Sequence, residues 1–362
     1  MIPIVDKPVM EFLINLLRQH GFDEIIISTS YLARDIEHYF RDGSRFGVQI
    51  AYSFEGYYAD GRPVPEGLGA AGGLKKIQQQ TGFFDDTFAV LCGDAIIDVD
   101  FTRALRFHDE KQAAATMLLK DLPRKDVGRY GVVQTSATGR ILRFEEKPAP
   151  DVAASTTVNT GIYLFEPSVL EYIPADQPCD IALEFFPRLI ANGLPFYGLT
   201  LPFRWIDIGR VSDFWHATRM VLNGELEFVE MSGREIAPRV WAGINVDVDL
   251  AHVNIQGPVS IGACTRIEPG ATIMGPAVIG RNSIIESGAY VASSVVGDYT
   301  RISGFAQLYE KIVNGRFCVD CEGKPIELAA AGYTFVVDDV RERRMWTEEQ
   351  QTLIEFLRAE VG

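Results

Sequence analysis

From Ile255 onward, one branched aliphatic residue falls at every sixth position: Ile255, Ile261, Ile267, Ile273, Ile279, Ile285 and Val291. The phase then slips by one residue and resumes at Val296 and Ile302. Gly or Pro punctuates the intervals, as in Ile261-Gly262, Glu268-Pro269-Gly270, Gly275-Pro276 and Ile279-Gly280. An α-helix repeats every 3.6 residues and a strand every two, so a period of six is neither. It is the period of a parallel β-helix, in which each short strand forms one side of a triangular coil and turns one aliphatic side chain inward. A coil then takes about 18 residues, and the stretch predicts about three coils, near the minimum that such a stack needs. Packing of the stack on a neighbour is therefore expected. The alternative, an irregular Gly-rich sheet, requires seven aliphatic residues to hold phase by accident.

The first half reads differently. Asp6 is placed to cap a helix with Pro8 in its first turn, Phe12, Leu13, Leu16 and Leu17 recur at helical spacing, and Gly21 can close the helix. Glu24 to Ser28, Val48 to Tyr52 and Thr87 to Cys92 read as buried strands, with a second amphipathic helix through Ile36 to Phe40. Further strands are predicted near 113–119, 131–134, 141–145, 158–165 and 196–201, with a helix at 182–193. This alternation predicts an α/β domain with a mostly parallel sheet. Beyond 306 the repeat fades into irregular β structure, and Thr347 to Leu357 reads as a terminal helix opened by a capping box.

The chain has 362 residues, enough for two domains at about 150 residues each. Its 22 Phe, 13 Tyr and 4 Trp are too much aromatic surface to leave in water, which argues against disorder. Charges interrupt every apolar run before about 18 residues, so no membrane span is expected, and the opening residues do not read as a secretory signal. Five scattered cysteines point to a reducing compartment, the cytoplasm. A formal charge of −15 repels nucleic acid and anionic lipid, so neither is an expected partner. A phosphorylated ligand would need local cations, backbone amides or a bound metal.

Several residues stand where chemistry is possible. Asp94 follows the strand ending Leu91-Cys92-Gly93, and Asp207 follows the apolar Trp205-Ile206. Carboxylates at the ends of parallel strands sit where open α/β sheets bind ligands, and two that converge would hold Mg²⁺. The plain alternative for each is a turn or cap residue. Glu145-Glu146-Lys147-Pro148 ends another strand, where an acid beside a base can bind a sugar hydroxyl and a phosphate together, or be a solvated charge cluster before a turn. Gly67-Leu68-Gly69-Ala70-Ala71-Gly72 matches the dinucleotide string GxGxxG, but Asp60 to Pro65 reads as a turn-rich loop where the fingerprint needs a strand. A Gly-rich approach to a flat ligand, leading into a helix near Leu74 to Gln79, fits better. Cys318-Val319-Asp320-Cys321 is a lone CxxC and reads as two packed thiols, and none of the five histidines lies at metal-ligand spacing.

Together these pieces resemble the sugar-phosphate nucleotidylyltransferases, and most closely the mannose-1-phosphate guanylyltransferase-like members with a left-handed β-helix after the catalytic domain. The resemblance covers about residues 1–305 and rests on short motifs in order: Asp6-Lys7-Pro8-Val9-Met10-Glu11, Phe40 to Gly47, Leu68 to Gly72, Leu91 to Asp94, Tyr130 to Val133, Glu145 to Pro148, Asn159 to Tyr163 and Trp205 to Gly209. It implies a Rossmann-like nucleotidyltransferase domain over 1–228, a left-handed β-helix over 240–306 and an extension over 307–362. It implies that Asp94 and Asp207 hold Mg²⁺, that Glu66, Gly67, Leu68, Gly69 and Gly72 cradle the nucleobase, that Glu146 binds sugar hydroxyls, that Lys147 binds the sugar phosphate, and that Gly131 and Asn159 line the sugar pocket. The implied reaction joins an NTP to a sugar-1-phosphate and releases pyrophosphate, with GTP and mannose-1-phosphate the expected pair and glucose next. Homo-oligomerisation through the β-helix is expected.

One part of the pattern is not in the sequence. Family members open with a strand, a loop ending in Gly-Thr-Arg and a Pro-Lys-Pro-Met segment, and Met1-Ile2-Pro3-Ile4 matches the residues immediately after that lysine. The chain as given is expected to be impaired as a catalyst and to carry a gap in its sheet. Two explanations stay open: a longer natural protein read from an internal methionine, or a catalytically silent regulatory or scaffold subunit. Acyl transfer by the β-helix is a third reading, disfavoured because His252 precedes the repeat and no histidine lies within it.

Overall fold

The predicted aliphatic column is present in the computed structural model of the chain, which describes residues 2–342 apart from 31, 60, 61, 176, 227 and 328–335, together with residue 352. The terminal helix expected at 347–357 lies outside the described residues, except for residue 352. The chain divides into two compact units, one of Val9–Ile206 and one of Ile2–Pro8 with the chain from Asp207 onward. The first is an α/β unit and the second holds the left-handed β-helix. No helix among the described residues is long and apolar enough to cross a membrane.

In the β-helix, three parallel sheets each stack one inward residue per strand. Val248, Ile267, Ile285 and Ile302 form one column; Ala242, Ile261, Ile279, Val296 and Val313 a second; Ile255, Ile273, Val291 and Leu308 a third. The corners stack as tightly. A Cβ on Gly262 would lie 2.5 Å from the backbone nitrogen of Arg281, and one on Gly280 2.4 Å from the carbonyl carbon of Gly297. Backbone rests on backbone there, so only glycine fits. The one-residue slip is a shortened corner: Met274 pairs with Ala292, but Val278 pairs with Val295. Ser293-Ser294 turn that corner, and Ser294 Oγ takes up the Lys311 N–H at 3.1 Å.

The stack is longer than the spacing predicts. One sheet has five parallel strands, from Val240–Ala242 to Lys311–Asn314, and the other two have four. Ala242, Val248 and Val313 fill inward positions off the six-residue phase, while Leu308 continues the phase of Val296 and Ile302. Where irregular β structure is expected, Phe317–Asp320 and Val337–Asp339 lie antiparallel on the last coil, and Arg234–Ala237 does the same on the first. Antiparallel caps of this kind blunt edges that would otherwise template further pairing. The expected neighbour is a helix of the same unit: Phe214, Trp215 and Leu222 of Val211–Leu222 cover the outward side chains of Val278, Val295 and Ile312.

In the α/β unit, Thr157–Phe165 lies antiparallel between Phe88–Leu91 and Ala115–Asp121, and Phe196–Thr200 runs parallel to Ala115–Asp121. The hairpin Val132–Thr135/Ile141–Glu145 joins the sheet where Val132 meets Val158. Glu24–Thr29 and Gln49–Phe54 form a separate parallel pair. Phe165, Phe185, Phe186 and Phe196, fully buried, fill the core beneath the larger sheet.

Three local expectations change. Asp6 is not a helix cap but sits in the turn of the hairpin Pro3–Ile4/Lys7–Pro8, and the helix Val9–Gln19 starts after it. Residues Gly56–Ala59 and Arg62–Pro65 form a hairpin where a loop is expected, and the following helix, Gly69–Thr81, includes the glycines themselves. The helix expected at 182–193 opens as a π-turn, Ile181–Phe185, before Phe186–Ala191.

The column makes a stability prediction. Ile285→Ala is expected to lower the unfolding free energy by about 3 kcal/mol, because the stacked neighbours cannot collapse into the space. Leu250→Ala, at an exposed position, should change it by less than about 0.5 kcal/mol. Urea denaturation compares them, and equal losses would contradict the inward column.

Candidate active site

The glycine segment is built around a contact with a distant stretch of chain. Cys179 N–H donates to Leu68 O at 2.8 Å, and Gly72 N–H donates to Cys179 O at 3.1 Å. A Cβ on Gly69, where φ is +69°, would lie 2.5 Å from Cys179 O, and one on Gly72 3.2 Å from Cys179 N. Two of the five predicted cradle residues, Gly69 and Gly72, are thus glycines because residues 177–180 abut them. Glu66 and Gly67 are exposed, and Leu68 is half-buried. Asp180 fixes the abutting segment by accepting the N–H groups of Ala182 and Leu183 at 2.8 and 2.7 Å.

A polar cluster beside this helix start was not foreseen. Ser28 Oγ donates to Glu55 Oε1 at 2.5 Å, and that same oxygen lies 2.8 Å from where a Cβ on Gly73 would stand. Thr29 Oγ1 is buried next to it with no hydrogen-bond partner. The only sequence signal was position, since these residues end the paired strands Glu24–Thr29 and Gln49–Phe54.

Gly131, Glu146, Lys147 and Asn159 come together in one patch. Asn159 N–H donates to Gly131 O at 2.8 Å, and Lys147 N–H donates to Tyr130 O at 3.2 Å. A Cβ on Gly131 would lie 2.4 Å from the Phe144 ring and 3.0 Å from Glu146 Oε2, so glycine here keeps the space over the carboxylate open. Glu146 and Lys147 pair at 3.6 Å; the lysine is 63% exposed and the glutamate 25%. An anion and a cation stand side by side at the mouth of this patch. Tyr130 packs on Trp205, with ring centroids 4.8 Å apart. Trp205 Nε1 and Glu145 Oε2 are buried without hydrogen-bond partners.

The Asn159 side chain is held twice. Its Oδ1 accepts Gly161 N–H at 2.9 Å and its Nδ2 donates to Tyr163 Oη at 2.8 Å. Gly161 O in turn accepts Cys92 N–H at 3.2 Å, which ties the start of the Cys92-Gly93-Asp94 segment to the same strand. Asp94 is exposed directly before the strand Ala95–Ile97. That strand pairs with the one carrying Trp205 and Ile206, and just beyond the pair Arg204 and Asp98 join through backbone and side chain, the guanidinium at 2.9 Å. Asp207, half-buried, opens the second unit.

Among the described residues no group of three or more His, Cys, Asp or Glu is placed to hold a metal ion. Two aspartates offer hard oxygen donors, which suits Mg²⁺, since this ion takes one or two carboxylates and completes its shell with water and substrate phosphate. The remaining candidates are structural. Cys318 is buried in the β-helix core, where burial pushes its thiol up and away from the thiolate that zinc needs. His108, also buried, spans Thr116 at 2.7 Å and Glu166 at 3.1 Å.

Residues 1–224 match the family described as Nucleotidyl transferase, and residues 258–293 match Bacterial transferase hexapeptide (six repeats). A UTP–glucose-1-phosphate uridylyltransferase of Synechocystis sp. is 53% identical over 341 residues, covering 94% of this chain and 88% of that protein. A mannose-1-phosphate guanylyltransferase of Mycobacterium tuberculosis is 27% identical over 274 residues, covering 75% of this chain and 71% of that protein. Among solved structures, a UDP-glucose pyrophosphorylase complexed with UDP-glucose shares the fold with a TM-score of 0.51 at 18% identity, over 62% of this chain and 89% of that one. The chain belongs to the nucleotidyl transferase family, with a hexapeptide-repeat β-helix following the transferase domain.

Proposed function

We propose that the protein transfers the nucleotidyl group of UTP to glucose-1-phosphate, forming UDP-glucose and releasing pyrophosphate. A phosphate oxygen of the sugar-1-phosphate attacks the α-phosphorus; the new O–P bond forms as the α–β bridging bond breaks, and pyrophosphate takes the electron pair. Such chemistry depends on alignment and charge neutralisation more than on a protein nucleophile. The observation that carries the reading is the patch in which Gly131, Glu146, Lys147 and Asn159 are linked through the sheet backbone. There Glu146 accepts hydrogen bonds from sugar hydroxyls, Asn159 offers an amide beside it, and the exposed ammonium of Lys147 meets the sugar phosphate.

The segment Glu66 to Gly72 is assigned to the nucleobase. Asp94 and Asp207 are assigned to Mg²⁺, which when bound offsets phosphate charge that a chain of net charge −15 would otherwise repel. Support for this pair is the family resemblance carried by Leu91 to Asp94 and Trp205 to Gly209.

The choice of UTP and glucose rests on the relative at 53% identity. GTP with mannose-1-phosphate, the pair implied by the motifs, is the second reading, kept by the guanylyltransferase relatives. The odd number of cysteines, five scattered along the chain, supports a reducing compartment such as the cytoplasm. Exposed Tyr290 and Tyr309 on adjacent strands of one β-helix face support self-association through that face.

Three outcomes test this reading. Pyrophosphate release by the protein expressed from its own locus, measured over a matrix of NTPs and sugar-1-phosphates, should favour UTP with glucose-1-phosphate at least tenfold in kcat/KM; a reversed preference supports the guanylyl reading, and no turnover with any pair overturns transfer altogether. Lys147→Ala should raise the KM for the sugar-1-phosphate by about 10- to 100-fold, the size of a lost charge-assisted contact, and leave the KM for NTP within about twofold. Asp207→Asn should abolish the Mg²⁺ dependence of nucleotide binding measured by calorimetry; unaltered binding removes Asp207 from the site.

A further inference from the structure

The strand Thr157–Phe165 breaks register in its middle: Asn159 pairs with Leu119, but Tyr163 pairs with Met117. Four steps on one strand answer two on the other, so residues 160–162 bulge out of the ladder with Ala115–Asp121, while Ile162 still pairs with Leu91 on the other side. Bulges re-aim side chains and recur beside functional sites. This one is closed by side chains. Thr160 Oγ1 donates to Leu118 O at 2.8 Å, and the Asn159 amide spans the bulge from Gly161 N–H to the Tyr163 phenol. Gly161 sits at φ +74°, and a Cβ there would press to 2.8 Å from Cys92 Sγ.

We propose that Tyr163 is a positioning residue for sugar-1-phosphate binding, acting through Asn159; the inference rests on the reading of Asn159 as a sugar contact. Tyr163 is only 4% exposed, with its ring stacked on Phe165 at 5.5 Å and packed on Phe186 at 5.2 Å. Its hydroxyl is therefore placed to act through the amide rather than on substrate. Gly161 N–H requires an acceptor, so the oxygen of the amide is fixed on that side and the nitrogen on the phenol. An asparagine amide has two N–H groups and two oxygen lone pairs. Each internal contact uses one, which leaves one donor and one acceptor for a ligand. A rotated amide would set Nδ2 against Gly161 N–H, donor against donor. Burial pushes the phenol up, so it stays neutral throughout the working pH range.

Tyr163→Phe keeps the ring and removes only the hydroxyl. The thermal midpoint should stay within about 4 °C. The KM for the sugar-1-phosphate should rise about five- to tenfold, the size of one neutral hydrogen bond, with the KM for NTP within twofold. In a double-mutant cycle, Asn159→Ala should raise the sugar KM strongly in the parent, and Tyr163→Phe should add little in the Asn159→Ala background. Independent, multiplicative effects, or equal rises in both KM values, would overturn the positioning role. If Asn159→Ala raises the sugar KM and Tyr163→Phe does not, this proposal fails while the sugar site stands. If Asn159→Ala alone leaves the sugar KM unchanged, the assignment of Asn159 to the sugar fails and takes the proposal with it.

Discussion

One strand, Thr157–Phe165, ties together most of what the α/β unit offers a ligand. It pairs with Ala115–Asp121 on one side and with Phe88–Leu91 and Val132 on the other. Its backbone fixes Gly131 through Asn159 and the Cys92 segment through Gly161. A strand antiparallel to both neighbours can carry a bulge without losing its ends, since the ladder resumes at Tyr163. The residues that leave the ladder with Ala115–Asp121 are held by side-chain hydrogen bonds of Thr160 and Asn159.

Electrostatics explains why the patch takes this form. The chain is strongly acidic, and a phosphorylated sugar approaching it meets repulsion everywhere except near local cations. Lys147 is such a cation, held at φ +44° on a turn whose N–H is tied to Tyr130 O. Its pairing with Glu146 at 3.6 Å keeps the ammonium beside the carboxylate without burying either charge. Both stay hydrated until a ligand replaces the water, so the desolvation penalty of a buried ion pair is avoided.

Much of the architecture was legible because it rests on strict local demands. Each inward β-helix position needs an aliphatic side chain, and each tight corner needs glycine, so Ile255 to Ile302 announced the coil and even its shortened corner. The outer coils were only partly legible, because Ala242, Val248 and Val313 satisfy the same demand off phase, and the antiparallel caps carry no period at all. In the α/β unit, Gly131, Glu146, Lys147 and Asn159 were found through family motifs, and the sheet does bring them together. Their support was hidden. Tyr163 reads as a core aromatic, and its contact with Asn159 exists only because the strand bulges between them. Gly69 and Gly72 read as a ligand cradle, yet part of their demand comes from Cys179, over a hundred residues away. Asp6 looked like a cap because Pro8 suits a first helical turn, but the same proline also suits the edge of the short hairpin that forms.

The measurement that bears most directly on the shared site is a crystal structure of the protein expressed from its own locus, grown with glucose-1-phosphate, Mg²⁺ and a non-hydrolysable UTP analogue. The predicted result is a sugar lying against Glu146, Gly131 and the free edge of the Asn159 amide, with its phosphate on Lys147. A sugar bound elsewhere would contradict it.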